Sequence, residues 1–293
     1  MAYLIAYARA VESAVEVDIP KRAHWLRALM GELERLANHF GDIGAICNDA
    51  AFALMHAHFG ILREDVLRAS AACFGHRLMM DCVSPGGVNA DLSSDGLETL
   101  TTLVDGLRAR LPHLVELYDN TPSLRDRTRN TGYLDPALAH QFAAGGFVGR
   151  GWGRGFDARR NIGYEPYNSL SFELPVRNEG DVDSRVWIRI NEVEESLSLC
   201  EQIIDRLPEG SVRVDLPVAP PNQAQGVGVS EGFRGDILVW VRLDEAGKIV
   251  RCYARDPSLF QWPLLEAAIK DNIVADFPLC NKSFNCSYSG SDM

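Results

Sequence analysis

The chain has 293 residues, 46% hydrophobic and 24% charged, enough to bury one large core or two modest ones and unlike a disordered or fibrous composition. A formal net charge of -11 excludes nucleic-acid backbone and anionic lipid as primary partners, because both repel surplus carboxylates unless a local basic patch intervenes. The seven cysteines are scattered and odd in number, no charged segment followed by an apolar signal core opens the chain, and no apolar run nears the ~20 residues that cross a bilayer. These features predict a reducing, cytoplasmic setting in which any membrane link passes through a partner.

From Ala2 to about Pro136 the apolar spacing is helical. In PKRAHWLRALMGELERLANHFGDIGAICNDA, Trp25, Leu26, Leu29, Leu33, Leu36, Phe40 and Ile43 recur at steps of three and four, forming one stripe behind Pro20, a residue that helix starts tolerate. ILREDVLRASAACFGHRLMMD repeats the pattern and stops at SPGGV, where Pro85 and two glycines cannot continue a helix. SSDGLETLTTLVDGLRARLPHLVELYDN opens on a serine and aspartate start signal and makes a third helix. Residues 1–131 are therefore expected to form a bundle of antiparallel helices. Residues 132–210 begin as a glycine-rich and arginine-rich loop, with a short strand predicted over SLSFELPV and a core helix over SRVWIRINEVEESLSLCEQIIDRL. In residues 211–293 the alternating runs SVRVDLPV, DILVWVRL and KIVRCYARD predict a small antiparallel sheet, and PSLFQWPLLEAAIKD a short helix. The expected fold class is mainly α (α+β): a helical bundle followed by a small β-containing C-terminal part, integrated as one domain.

Several residue groups can carry chemistry. His56 and His58 sit two apart and face different ways on a helix, His24 and His39 flank the core stripe, and nothing resembles H-E-x-x-H. Glu32, Arg35 and His39 share one face of the long helix, and Glu34 and Asn38 share another; this is either a solvated ion-pair face or a buried lattice on an electron or proton pathway. RGWGRGFDARRNIGYEPY crowds arginines around Asp157 but lacks the G-K-[ST] ending of a phosphate loop; its simplest reading is a structural loop whose glycines take positive φ and whose arginines pair with carboxylates elsewhere. Cys280 and Cys286 have five residues between them, too many for the C-x2-C turn that lets two thiolates converge on one metal.

In chain order, AYARAVE, PKRAHWLRALMGELERLANHFGDIGA, PGGV, RGWGRGFDARR, LPV, GDVDSR and EGFRGD resemble the shared family of nickel-iron hydrogenase large subunits and the D-type subunit of respiratory complex I, the NADH-quinone oxidoreductase. The resemblance runs from about Ala6 to Met293, and LERLANHFGDIGA is most similar to energy-converting, formate hydrogenlyase-like complexes. Hydrogenases of this family hold nickel and iron with two C-x2-C pairs, one upstream of the AYARAVE segment and one at the C-terminus. The upstream pair has no counterpart, which implies a fragment or a partner that supplies it. At the tail the resemblance places Asn285 at the motif's aspartate, Cys286 at its proline, and Ser287 and Gly290 at the two ligand cysteines. Serine replaces thiolate poorly on soft metals and glycine offers nothing, so no metal and no nickel-iron centre is expected on this chain. Ser84 stands where complex I shows arginine, and the family's quinone-contacting tyrosine and histidine lie upstream of the matched segment. EGFRGD places Arg234 where the family's arginine overhangs the active-site cavity, with Glu231 nearby; these two are the candidate catalytic residues.

The resemblance implies an oxidoreductase subunit, inactive in isolation, that passes electrons from an iron-sulfur partner subunit to quinone or a similar acceptor. The chain itself is expected to hold no cofactor, since it has no cluster motif and no G-x-G-x-x-G. It is expected at the inner face of the cell membrane, joined to the membrane arm through other complex subunits. The alternatives are a catalytically silent scaffold subunit of such a complex and, third, a true nickel-iron hydrogenase.

Overall fold

The computed structural model describes residues 1–217 and 224–291 and is mainly helical, with a small antiparallel sheet, as the sequence pattern implies. α1 (Ala2–Ala14) precedes the long α2 (Lys21–Asp49), which starts directly after Pro20. The turn at residues 50–52 reverses the chain into α3 (Ala53–Phe74). This helix starts before Ile61 and ends before Asp81, because Gly75 takes a left-handed φ of 78° and closes it. A minimal hairpin, β1 (Val83–Ser84) and β2 (Gly87–Val88), leads to α4 (Ser94–Asp119), whose Ser93 cap accepts the Gly96 N–H at 3.1 Å. Short helices α5 (Pro122–Thr128), α6 (Pro136–Gln141) and α7 (Gly146–Arg150) follow, then α8 (Val182–Arg206), capped by Asp181.

The predicted stripe of α2 is buried. Leu26, Leu29, Leu33, Leu36, Phe40 and Ile43 join Phe59, Leu62 and Val66 of α3 and Val186, Ile190, Val193 and Leu197 of α8 in the main core. Each such side chain contributes roughly 1.5–3 kcal/mol by leaving water. A second core gathers Phe147, Ile188, Leu264, Cys280 and Phe284 around α9 (Ser258–Ala268) and α10 (Phe277–Phe284), the latter not foreseen.

The sheet differs from expectation in one strand. β4 (Gly235–Leu243) and β5 (Ile249–Arg255) match DILVWVRL and KIVRCYARD, but their partner is β3 (Gln225–Gly232), in the order β3-β4-β5. SVRVDLPV instead bonds the SPGGV turn, through Val214 N to Gly86 O and Val88 N to Val212 O, and its last residue, Val218, lies outside the described residues. SLSFELPV forms no strand either: side chains of α8 satisfy its backbone, Gln202 bonding both polar groups of Ser171 and Glu195 accepting the Glu173 N–H. β3 hides in the sequence because its glycines are contact points. A Cβ on Gly228 would lie 1.9 Å from Ala6 O and one on Gly226 2.0 Å from Ala10 O, so α1 rests its alanine face directly on strand backbone. β3 and β4 meet in a two-residue turn, Phe233 and Arg234, between the paired Gly232 and Gly235.

Candidate functional site

The second face of α2 is also buried, and it is ionic. Glu32, Arg35 and His39 point away from the apolar stripe toward α7, α8, the loop after α7 and the end of β3. The Glu32 carboxylate accepts from Arg159 at 2.8 Å, Arg35 at 3.2 Å, and the Tyr167 and Ser196 hydroxyls at 2.7 Å. Asp157 is clasped by Arg159 through Nε at 3.0 Å and Nη2 at 2.7 Å, and reached by Arg150 at 3.4 Å. Arg150 spans the lattice, giving Nε to Glu192 at 2.8 Å and Nη1 to Glu231 at 3.3 Å. Glu192 also meets His39 Nε2 at 2.7 Å, while Glu231 accepts the Ala158 N–H at 2.9 Å. Arg35 anchors the strand end through the carbonyls of Glu231 and Gly232.

Of the two sequence readings for this face, the buried lattice is the one observed. The arginine-rich loop supplies its counter-charges, as expected of a structural loop, though of its first two glycines only Gly153 takes a positive φ, at 114°. Glu192 and Ser196 escaped sequence reasoning. Their signal is the spacing of Arg185, Arg189, Glu192 and Ser196 on α8, which repeats the three-and-four step of the α2 polar face.

Four carboxyl groups (Glu32, Asp157, Glu192, Glu231) share three guanidinium groups (Arg35, Arg150, Arg159), leaving one negative charge in excess. Burial alone would raise Glu32, Asp157 and Glu192, but Arg159 holds the first two and Arg150 the third below the ordinary carboxyl range. Burial lowers His39, against the pull of Glu192, so the imidazole stays neutral. Glu231 is shifted the opposite way: burial, with the neighbouring Asp157 charge, pushes it up to about 8.

A cavity of about 390 Å³ opens beside this lattice. Its walls are apolar, with Leu4, Leu33, Leu67, Phe233 and Ile237, and carry Glu34, Asn38, Arg63, Arg77, Arg234 and Asp256. Leu78 and Met80 at the cavity are 53% and 58% exposed, forming an apolar rim. The structure thus puts Arg234, at the hairpin tip, on the cavity wall, and Glu231 behind that wall in the lattice. The Arg234 guanidinium lies 4.3 Å over the Phe233 ring, and its Nε donates to Asn285 O at 2.5 Å. The Phe233 ring in turn meets His39 edge-on, with centroids 6.3 Å apart.

The tail is fixed by hydrogen bonds from neighbouring side chains. Asn285, in a left-handed turn with φ of 47°, donates to both oxygens of Asp42 at 2.7 and 2.8 Å, and Arg189 and Lys282 approach the same carboxylate. Ser287 Oγ accepts the Gly290 N–H at 3.1 Å and pairs with Ser289 Oγ, and the Ser287 carbonyl accepts from Trp262. A Cβ at residue 290 would lie 2.4 Å from Asp256 Oδ2. The two positions therefore offer one hydrogen-bonded hydroxyl and no side chain, a donor set that does not fit a thiolate-bound nickel-iron centre. Among the described residues no group of three or more His, Cys, Asp and Glu is placed to hold a metal ion. Cys280 and Cys286 are buried, and burial pushes the Cys286 thiol up to about 12.

Comparison with known proteins shows what the chain as a whole is similar to. The chain is 29% identical over 280 residues to the carbon monoxide-induced hydrogenase of Rhodospirillum rubrum, covering 95% of this chain and 77% of that protein. It is 30% identical over 291 residues to formate hydrogenlyase subunit 5 of Escherichia coli (strain K12), covering 99% of this chain but only 51% of the relative. The D-type subunit of NADH-quinone oxidoreductase from Desulfotalea psychrophila is 30% identical over 286 residues, with 94% and 75% covered. A solved chain of the membrane-bound sulfane sulfur reductase, an archaeal respiratory membrane complex, superimposes with a TM-score of 0.92 at 25% identity, over 98% of this chain and 80% of that one. The family model for the respiratory-chain NADH dehydrogenase 49 kDa subunit matches residues 49–227. With more than half its length under that model, and with the separated motifs in family order, the chain belongs to the family of the 49 kDa subunit of respiratory-chain NADH dehydrogenase.

Proposed function

We propose that this chain is the acceptor-reducing subunit of a membrane-attached oxidoreductase complex, passing electrons from an iron-sulfur partner subunit to a quinone or similar small acceptor without nickel. The observation that carries this reading is the apolar cavity with Arg234 at the tip of the β3–β4 turn. A quinone needs an apolar slot for its ring and tail and a fixed cation where negative charge develops; a guanidinium keeps its charge and can hold a reduced oxygen. The tie from Asn285 O to Arg234 Nε and the Phe233 ring beneath it preorganise the guanidinium for that task. No helix among the described residues is long and apolar enough to cross a membrane; in this reading attachment passes through partner subunits on the cytoplasmic side. Electron entry depends on the partner, so the chain by itself is expected to show no turnover.

The test uses the assembled complex with reduced methyl viologen as donor and decylubiquinone or polysulfide as acceptor. Arg234→Ala is expected to lower acceptor turnover by about 100-fold, with Arg234→Lys intermediate and ferricyanide reduction unchanged. Wild-type turnover in Arg234→Ala would remove the cavity as acceptor site and leave a scaffold subunit. Stoichiometric nickel in the purified complex would restore the hydrogenase reading.

A further inference from the structure

Behind the acceptor cavity lies a second, narrower cleft, lined by Arg9, His24, Gly31, Tyr164, Tyr167 and Glu231, with room of about 10 Å³. That is roughly the space of one water molecule, and the lining is polar enough to hold one. Its outer rim includes the exposed Glu165 and its inner wall the buried Glu231. Arg9 lies over the Tyr164 ring at 4.3 Å, and its Nε is buried without a hydrogen-bond partner among the described residues. Cleft and cavity are neighbours in the fold. Ala2 lines both, and the strand passes from Glu231 in the cleft wall to Gly232 in the cavity wall, so that two of the smallest residue types, Ala2 and Gly232, lie where the two adjoin. A Cβ on Gly232 would touch that of Ala2 at 3.4 Å.

We propose that Glu231 is a proton relay for the acceptor half-reaction, taking protons from solvent through the Arg9–Tyr164 cleft and passing them toward the Arg234 cavity. This inference rests on the proposed function. A quinone that takes two electrons from the partner's iron-sulfur chain also takes two protons and leaves as quinol. Each proton delivered leaves Glu231 as a carboxylate, which Arg150 stabilises until solvent in the cleft returns a proton. The groups facing Glu231 suit that cycle. Arg35 from α2 and Arg150 from α7 favour the charged form; Asp157 and burial favour the neutral form; the Ala158 N–H holds the carboxyl in place and the Tyr164 hydroxyl accepts the Glu231 N–H. With the carboxyl titrating at about 8, it is protonated yet able to give up its proton near neutrality.

The experiment compares quinone and ferricyanide reduction by the assembled complex, because ferricyanide takes one electron and no proton. Glu231→Gln is expected to lower quinone kcat by about 10-fold or more, leave quinone KM and ferricyanide reduction unchanged, and lack the alkaline fall around pH 8 that the relay predicts for the wild type. Glu231→Asp should restore part of the rate. Gly31→Ala narrows the cleft without a clash, since its Cβ would meet Ile5 at 3.7 Å and the Tyr167 hydroxyl at 3.9 Å. Alanine also suits the middle of a helix better than glycine, so this variant should melt no lower than wild type while its quinone turnover falls severalfold. Full quinone turnover in either Glu231→Gln or Gly31→Ala overturns the relay. A wild-type complex that reduces ferricyanide but no quinone overturns the acceptor reading, and this inference with it.

Discussion

The two buried faces of α2 are built on opposite principles. One packs leucines and Phe40 against α3 and α8, where the gain scales with area and tolerates exchange of similar shapes. The other buries Glu32, Arg35 and His39 among charges from α7, the following loop, α8 and β3. Desolvating so many charges is roughly offset by their mutual attraction, so such a face adds little net stability while losing any member is costly. The apolar face holds the fold, and the ionic face fixes charges beside a cavity.

Removing the spanning cation should break the ionic face first. Arg150→Met strands Glu192, Asp157 and Glu231, and should cost about 3–5 kcal/mol in urea unfolding. Leu29→Ala on the apolar face should cost roughly 3 kcal/mol by transfer and cavity terms, yet leave the pH dependence of stability untouched. That pH dependence sharpens the contrast. Glu231 has an ordinary value of 4.5 and about 8 in the fold, so its contribution is full below the ordinary value and is lost as pH rises through the folded one. Glu32, Asp157 and Glu192, all lowered, contribute above their ordinary values and lose that contribution in acid. Glu231→Gln should therefore remove a slope of up to about 1.4 kcal/mol per pH unit between those limits and leave the acid limb in place. Ser93→Ala, at the start of α4 and on neither face, should cost about 1 kcal/mol through the α4 cap. Arg68→Ala, an exposed pair with Glu64, should change stability by less than about 0.5 kcal/mol.

Periodicity revealed the α2 stripe and put Glu32, Arg35 and His39 on one face, because a helix converts spacing into direction. It did not show that the face is buried, since burial depends on Arg150, Arg159 and Glu192, which join it from distant parts of the chain. The ordered motifs carried the family, and the EGFRGD segment led to a cavity wall at Arg234. β3 was illegible because glycine has low strand preference, and only the approach of α1 explains Gly226 and Gly228. SLSFELPV alternates like a strand, but pairs with the side chains of Gln202 and Glu195.

The seating of α1 on β3 also sets the order in which the molecule can be assembled. The face of Ala6 and Ala10 meets the backbone of Gly228 and Gly226, more than two hundred residues later in translation. Contacts of such long range are slow to form, because loop closure must come before they add stability. While the chain is emerging, the bundle of α2, α3, α4 and α8 can close, but α1 waits with its small-residue face uncovered. The cavity, walled by Leu4 on one side and Phe233, Arg234 and Ile237 on the other, is then among the last features of the molecule to form.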